Sequence, residues 1–343
     1  MRIAIANAPL SAVETLRTVL SRSPNYKLSW VAKYAADAVS MCVEDKPDLL
    51  LMGLLMPLAD AVDCTLRIMK QSPCAILVVA VDYERQISEV FEVMGAGALD
   101  VVNVPMPGTE RGSYELLRKV ESIGKRIAAS STKGVGNRIP VSVKKEQRLP
   151  FLVVVGASTG GPKTIAAILS ALPKNFPASI LIVQHVDQQF ADGIARWLGQ
   201  NCKLPVDIAR NGERPLAGHV LLASTNDHMV LTSERAIAYT AEPLENPYRP
   251  SADVFFESIA QNWPQPSVAI LLTGMGRDGA SGLLKLYQAG WHTIAQDKDS
   301  CAVYGMPKAA IELGAAKLVL SPAEIAEELM SYAKSRSIGP IKG

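Results

Sequence analysis

The 343-residue chain is 48% hydrophobic and nearly charge-neutral, with 35 Lys and Arg against 33 Asp and Glu, which suits two domains with buried cores. Its longest apolar stretch, 49–59, is interrupted by Gly53 and Pro57 and falls short of the roughly 20 residues of a spanning helix, so no membrane insertion is expected. Five cysteines at 42, 64, 74, 202 and 301 lack CxxC spacing, and no secretory pattern follows Arg2, so a reduced, cytoplasmic protein is expected.

In chain order, residues 1–106 alternate apolar strand-like runs with amphipathic stretches. Strands are predicted at 2–6, 28–32, 49–52, 75–79 and 101–102, with helical spacing in most of 11–20, 36–42, 60–71 and 88–94. Such alternation predicts βαβ units and a parallel sheet covered on both faces. One more helix at 114–128 carries Leu116, Leu117, Val120 and Ile123 on an apolar stripe. Residues 129–149 then turn polar, and the segment 108–149 holds 10 Lys and Arg against 4 Asp and Glu. It reads as a solvated linker rather than a nucleic-acid or membrane contact. From 151 the alternation resumes to about 335, and the last residues read as a frayed tail.

Three separated patches of this second half supply a serine, an imidazole and a carboxylate. They are Gly156-Ala157-Ser158-Thr159-Gly160-Gly161, Gln184-His185 and Gly274-Met275-Gly276-Arg277-Asp278-Gly279. Each ends an apolar run that reads as a buried strand, at 151–155, 179–183 and 268–273. In an open parallel sheet the carboxyl ends of strands share one rim, where ligands bind. One rim would then collect a nucleophile, a base and an orienting acid, the ingredients of acyl transfer.

The first patch fits G-x-S-x-G ahead of a helical stretch at 162–172. Flanking glycines allow a tight turn that holds a hydroxyl above the sheet, and the helix start aims free amides at the same spot. A glycine-rich phosphate loop would use the same amides, but there is neither a Gly-Lys-Ser/Thr nor a G-x-G-x-x-G. His185 is one of four histidines, and the others (219, 228, 292) show no metal-ligand spacing. A structural role for His185 stays open, as does an N-cap role for Asp278 on a helix at 280–289. The order Ser, His, Asp differs from the Ser, Asp/Glu, His of ordinary α/β-hydrolases.

These residues resemble the CheB-type protein-glutamate methylesterases over nearly the whole chain. The resemblance is carried by 155–161, 182–185, Arg249-Pro250-Ser251-Ala252-Asp253, 272–279, 293–297, Ser300-Cys301 and Tyr304-Gly305-Met306-Pro307. It implies an α/β protein of two doubly wound parallel-sheet domains, receiver-like (flavodoxin-like) at 1–128 and Rossmann-like, methylesterase, at 150–336. A linker at 129–149 joins them, and 337–343 is the tail. The implied activity is hydrolysis of glutamate γ-methyl esters on chemoreceptor cytoplasmic domains, releasing methanol, together with deamidation of certain receptor glutamines. Carried over by position, Ser158 is the nucleophile, His185 the base and Asp278 the orienter. Met275 supplies an oxyanion N–H by the same resemblance, and Thr159 a second by turn geometry. Acyl-enzyme chemistry needs no metal or organic cofactor, and none is expected. Polar residues around 249–253 and the Tyr304 loop either line a shallow groove or are structural; Asp253 would cap a helix at 254–261.

The first half departs from the receiver pattern where phosphorylation happens. Ile5-Ala6-Asn7-Ala8 stands where an acidic pair would hold Mg²⁺, Gly53 replaces the phosphoacceptor, Val104 the lysine, and Ala80 the hydroxyl residue. Asp48 lies five residues from Gly53, roughly 16 Å away along an extended strand, and cannot substitute. The half is therefore expected to be a pseudo-receiver used for docking or for covering the catalytic groove, with a passive stabilising domain as the alternative. It looks most like the WspF type, which serves chemosensory arrays controlling a diguanylate cyclase. Expected partners are the methyl-accepting receptor and a chemosensory histidine kinase or adaptor, with no nucleic acid. The rival functions are a non-catalytic signalling adaptor and a nucleotide-binding α/β protein.

Overall fold

Strands that are apolar at every position, rather than at alternate ones, need both faces covered, and both halves of the chain contain them. The computed structural model describes residues 1–6, 8–54, 58–82, 86–106, 110–129 and 150–337. Asn7, the linker beyond Ala129 and the tail beyond Ser337 lie outside the described residues. The chain divides into two units, Met1–Thr132 and Lys133–Gly343.

The first unit runs β1 (Arg2–Ala6), α1 (Leu10–Leu20), β2 (Lys27–Ala32), α2 (Ala35–Glu44), β3 (Leu49–Gly53), α3 (Leu58–Gln71), β4 (Ala75–Ala80), α4 (Ile87–Ala96), β5 (Asp100–Asn103) and α5 (Glu110–Ala129). Its five strands are parallel in the order β2-β1-β3-β4-β5. That is the flavodoxin-like order. β3 and β4 are buried along their whole length. Helix α1 covers the sheet through Ala12, Val13, Leu16, Val19 and Leu20, a helical stripe. On α5, Leu116, Val120 and Ile123 are buried, whereas Leu117 is only half-buried at the edge of the stripe. The helix begins at Glu110, four residues before the predicted start. Its buried Lys119 pairs with Asp100 of β5 at 2.9 Å.

The second unit runs β6 (Phe151–Ala157), α6 (Gly161–Ala171), β7 (Ala178–Gln184), α7 (Gln188–Asn201), β8 (Val206–Ile208), β9 (Val220–Leu222), β10 (His228–Leu231), β11 (Ile237–Thr240), α8 (Ala252–Asn262), β12 (Val268–Leu271), α9 (Ala280–Gln288), β13 (His292–Gln296), α10 (Met306–Glu312), β14 (Leu318–Leu320) and α11 (Pro322–Ser337). Seven strands form one parallel sheet in the order β14-β13-β12-β6-β7-β9-β8. β10 and β11 form a separate antiparallel pair, outside the βα alternation. The sheet order reverses at β6, whose neighbours are β7 on one side and β12 on the other. Such a switch point opens a crevice at the carboxyl ends of the strands.

The predicted strand 268–273 stops at Leu271, because Thr273 gives its N–H to the Gln296 side chain at 2.8 Å and its carbonyl to the Ser158 N–H at 3.0 Å. One face of the core gathers Phe255, Phe256 and Ile259 of α8 with Leu271, Leu283 and Leu286. Glycine lets α8 and α9 approach: a Cβ on Gly282 would lie 2.7 Å from the Phe256 Cβ and 2.9 Å from the Asp253 carbonyl. Among the described residues no helix is long and apolar enough to cross a membrane.

Phe256 is wholly buried in this cluster. Phe256→Ala should destabilise the second unit by about 3–5 kcal/mol. The check is the urea midpoint by tryptophan fluorescence, since Trp197, Trp263 and Trp291 report on this unit and Trp30 on the other.

Candidate active site

Ser158 follows β6 directly and is held by its backbone. Its N–H donates to the Thr273 carbonyl at 3.0 Å, and its carbonyl accepts the Gly161 N–H at 2.8 Å and the Gln184 side-chain amide at 2.8 Å. Gly160 turns the chain into α6 with a left-handed φ of 79°, and Pro162 sits in the first helical turn. A Cβ on Gly160 would lie 2.5 Å from the Ala302 Cβ, so both φ and space require glycine there. The turn is thus clamped by three strand ends at once.

His185 follows β7, whose last residue, Gln184, is in register with Ala157 of β6. Its N–H donates to the Ala157 carbonyl at 2.9 Å, which brings the His185 backbone to the residue before Ser158; among the described residues no hydrogen bond joins the two side chains. The imidazole is buried, and its Nε2 lies 2.7 Å from Asp278 Oδ2. Tyr248 stacks on the ring at a centroid distance of 4.9 Å and an interplanar angle of 22°. The other ring nitrogen, Nδ1, lies outside the bond to Asp278. Among the described residues this buried Nδ1 has no protein partner.

Asp278 receives four donors. Oδ2 accepts His185 Nε2–H at 2.7 Å and the Ala252 N–H at 2.6 Å; Oδ1 accepts the Ser251 hydroxyl at 2.7 Å and the Asp253 N–H at 3.1 Å. From sequence, Asp278 is the orienter of His185 with an N-cap role on its own helix left open, and Asp253 is a candidate cap of the helix that follows it. The structure exchanges them. The N-cap of α9 is Gly279, in a left-handed conformation without a side-chain cap, while Asp278 takes up the free amides of α8. Ser251 is the N-cap of α8, and the Asp253 carboxylate instead accepts the Gly282 N–H of α9 at 2.6 Å. The physical reason is close packing: the two helix starts meet, so each acid reaches its neighbour's unpaired amides.

The charges follow from these contacts. Burial alone would raise the Asp278 carboxyl, but the His185 hydrogen bond and charge, the Ser251 hydroxyl and the Ala252 N–H outweigh it and hold the group below the usual carboxylate range. Burial, then the Asp278 charge, push the half-buried Asp253 up to about 8. The two acids are thus driven apart, with Asp278 favoured as the charged form and Asp253 as the neutral one. Behind them, His228 accepts the Ser251 N–H on Nδ1 at 3.1 Å, and burial lowers its pKa, keeping it neutral.

Gly274 presses on the serine: a Cβ there would lie 2.6 Å from the Ser158 Cβ and 2.3 Å from the Met306 sulfur. Met275 therefore begins next to Ser158. Among the described residues the N–H groups of Thr159 and Met275 have no protein acceptor. The Thr273 hydroxyl donates to the Thr159 carbonyl at 2.9 Å and accepts the Val303 N–H at 2.9 Å, tying the turns together. Of the remaining candidates, Arg249 donates to the Leu244 carbonyl at 2.8 Å, and Tyr304 bridges to Gly274 along the backbone. Sequence reasoning passed over the roles of Tyr248, Ser251, Gln184 and Thr273. Only Ser251 had a signal, a serine ahead of an apolar helical run. Among the described residues no cluster of His, Cys, Asp and Glu is arranged to hold a metal ion.

A protein-family model described as CheB methylesterase matches residues 153–329. The chain is 48% identical over 332 residues to protein-glutamate methylesterase/protein-glutamine glutaminase 3 of Pseudomonas aeruginosa, covering 96% of this chain and 98% of that one. It is also 48% identical over 340 residues to protein-glutamate methylesterase/protein-glutamine glutaminase 4 of Burkholderia thailandensis, covering 96% and 97%. The crystal structure of the Thermotoga maritima CheB methylesterase catalytic domain superposes with a TM-score of 0.52 at 36% identity, covering 53% of this chain and 98% of that chain.

Asp278 titrates near 3.8 in an unfolded chain and lower in the folded one. Its ionised form therefore stabilises the fold above that value, and the contribution is lost as pH falls through the folded pKa. The Tm difference between wild type and Asp278→Asn should be widest at about pH 7 and narrow toward about pH 3. Thermal unfolding across that range checks it; a constant difference would contradict the sign.

Proposed function

The chain belongs to the CheB methylesterase family, and from that premise we propose that its second unit hydrolyses glutamate γ-methyl esters on the cytoplasmic domain of methyl-accepting chemoreceptors. The observation that carries the proposal is the buried 2.7 Å bond between His185 and Asp278, set beside Ser158 at the sheet's switch point. Ser158 Oγ attacks the ester carbonyl while His185 Nδ1, the ring nitrogen not engaged with Asp278, takes its proton. Asp278 holds the ring orientation and stabilises the imidazolium. The oxyanion forms against the N–H groups of Thr159 and Met275, at the start of α6.

Collapse expels the methoxy group, which leaves as methanol with the proton from Nδ1. Water, deprotonated by the same nitrogen, then attacks the acyl-enzyme and releases the free glutamate and Ser158. With a glutamine in place of the ester the same steps release ammonia, and the relatives' names pair these two activities. Every proton is carried by His185, so neither a metal nor an organic cofactor is required. The enzyme works in the cytoplasm, where the receptor's methylated helices lie.

For residues 1–128 we propose a pseudo-receiver, joined by a linker at 129–149 to a catalytic domain at 150–336, with a tail at 337–343. Gly53 ends β3 at the sheet's carboxyl rim, and Ala80 ends β4 beside it. Asp48 lies at the other end of the strand, accepting the Arg2 N–H at 2.6 Å. With glycine at the acceptor position, no acyl phosphate forms there. Control would then come from a protein partner such as a chemosensory kinase or adaptor, in an array of the WspF type.

Ser158→Ala should slow methanol release from a methylated receptor fragment by on the order of 10⁴-fold or more. Equal rates for the two proteins would remove the nucleophile assignment. Incubation with Mg²⁺ and labelled acetyl phosphate should leave the chain unlabelled; stable labelling would overturn the pseudo-receiver.

A further inference from the structure

Asp253 has no part in the reaction steps above, yet its contacts close a ring around the acid that does. It is the second residue of α8. Its N–H donates to Asp278 Oδ1 at 3.1 Å, and its own Oδ1 accepts the Gly282 N–H at 2.6 Å. The Gly279 N–H also favours its carboxylate. Residues 279 to 282 are the first turn of α9, which starts immediately after Asp278. Each acid therefore secures the backbone that carries the other.

The tight approach is built into the chain. A Cβ on Gly282 would lie 3.1 Å from the Asp253 Cα, and one on Gly279 would lie 3.1 Å from the Ala252 Cβ. Substitution of either glycine would separate the helix starts and lengthen both sets of hydrogen bonds. A helix needing only an N-cap would be served by a side chain of its own, as α8 is served by Ser251. The second, crossed set of contacts has a different consequence. It fixes where the Asp278 backbone stands relative to His185.

We infer that Asp253 is a positioning residue for the triad: by gripping the Gly279–Gly282 turn it keeps Asp278 Oδ2 at hydrogen-bonding distance from His185. The inference rests on the hydrolase reading of Ser158, His185 and Asp278. What the position needs is an acceptor of the right length and not a charge. Burial and the neighbouring Asp278 push its carboxyl up to about 8, so near neutral pH it is chiefly the neutral acid, which asparagine mimics. Charged groups near the pair are few: Glu257 also raises the Asp253 carboxyl, and Glu257 is itself paired with Lys285 of α9 at 2.5 Å.

The test uses the full chain and a fluorophosphonate probe, which reports an activated serine without requiring the receptor. Labelling rates at about pH 7 are compared for wild type, Asp253→Asn, Asp253→Ala and Asp253→Glu, well below each protein's Tm, with Ser158→Ala as control. Asp253→Ala and Asp253→Glu should label about 10- to 100-fold more slowly, as expected for a misplaced catalytic group. Asp253→Asn should remain within about threefold of wild type, since the acceptor is kept. Asp253→Glu creates no cavity, so it decides the question if Asp253→Ala does not fold. Wild-type rates in both slow candidates, with only Tm lowered, would overturn the inference, as would Asp253→Asn as slow as Asp253→Ala. If wild type itself is not labelled, or Ser158→Ala is labelled equally, the hydrolase reading fails and the inference falls with it.

Discussion

A buried carboxylate must be surrounded by donors or it will not stay ionised. Asp278 satisfies that demand with four: the His185 imidazole, the Ser251 hydroxyl and two amides at the start of α8. Much of the second unit's geometry is subordinate to this requirement. The loop after β12 must reach the first turn of α8, so the two helices must meet at their starts. That meeting is possible because the contact residues are Gly156, Ala252, Gly279 and Gly282, which keep side-chain bulk out of the crossing.

Sheet order accomplishes the rest. β6 lies between β7 and β12, so the residues that follow these three strands gather on one rim although the first and last of them are more than a hundred positions apart. At that rim the sheet ladder gives way to side chains. The Gln184 amide holds the Ser158 carbonyl, Gln296 takes the Thr273 N–H, and the Thr273 hydroxyl joins Thr159 to Val303. The Gln184, Gln296 and Thr273 side chains that make these bonds are buried, which stiffens the rim. A serine on such a rim has little freedom to drift, and pre-organisation of this kind is what transition-state stabilisation requires.

The first unit keeps the same construction principle with different contents. Its central strands are wholly apolar, and its sheet has the order associated with ligand binding at the carboxyl ends. Gly53 and Ala80 leave two of those ends without polar side chains. The buried Lys119–Asp100 pair sits instead between α5 and the start of β5, where it braces a helix against the sheet.

Periodicity and composition were enough to determine the alternating elements, the parallel sheets and the three glycine-bounded patches. These are local properties: a strand buried on both faces must be apolar throughout, and a tight turn beside a strand must be rich in glycine. The candidate serine, histidine and aspartate could be picked out for the same reason, since each sits in its own short motif. The exchange of helix caps was not legible, because Asp278 and Asp253 each precede or open a helix and local rules assign each to its own. Which amides an acid reaches depends on how two helices cross, and that crossing is set by contacts between residues such as Gly282 and Phe256. The stacking of Tyr248 on His185 and the separate β10–β11 hairpin belong to the same class. The sequence by itself determined which residue types stand at the strand ends; only the tertiary structure decided which partner holds each group in place, because hydrogen-bonding distance between remote residues is a property of packing.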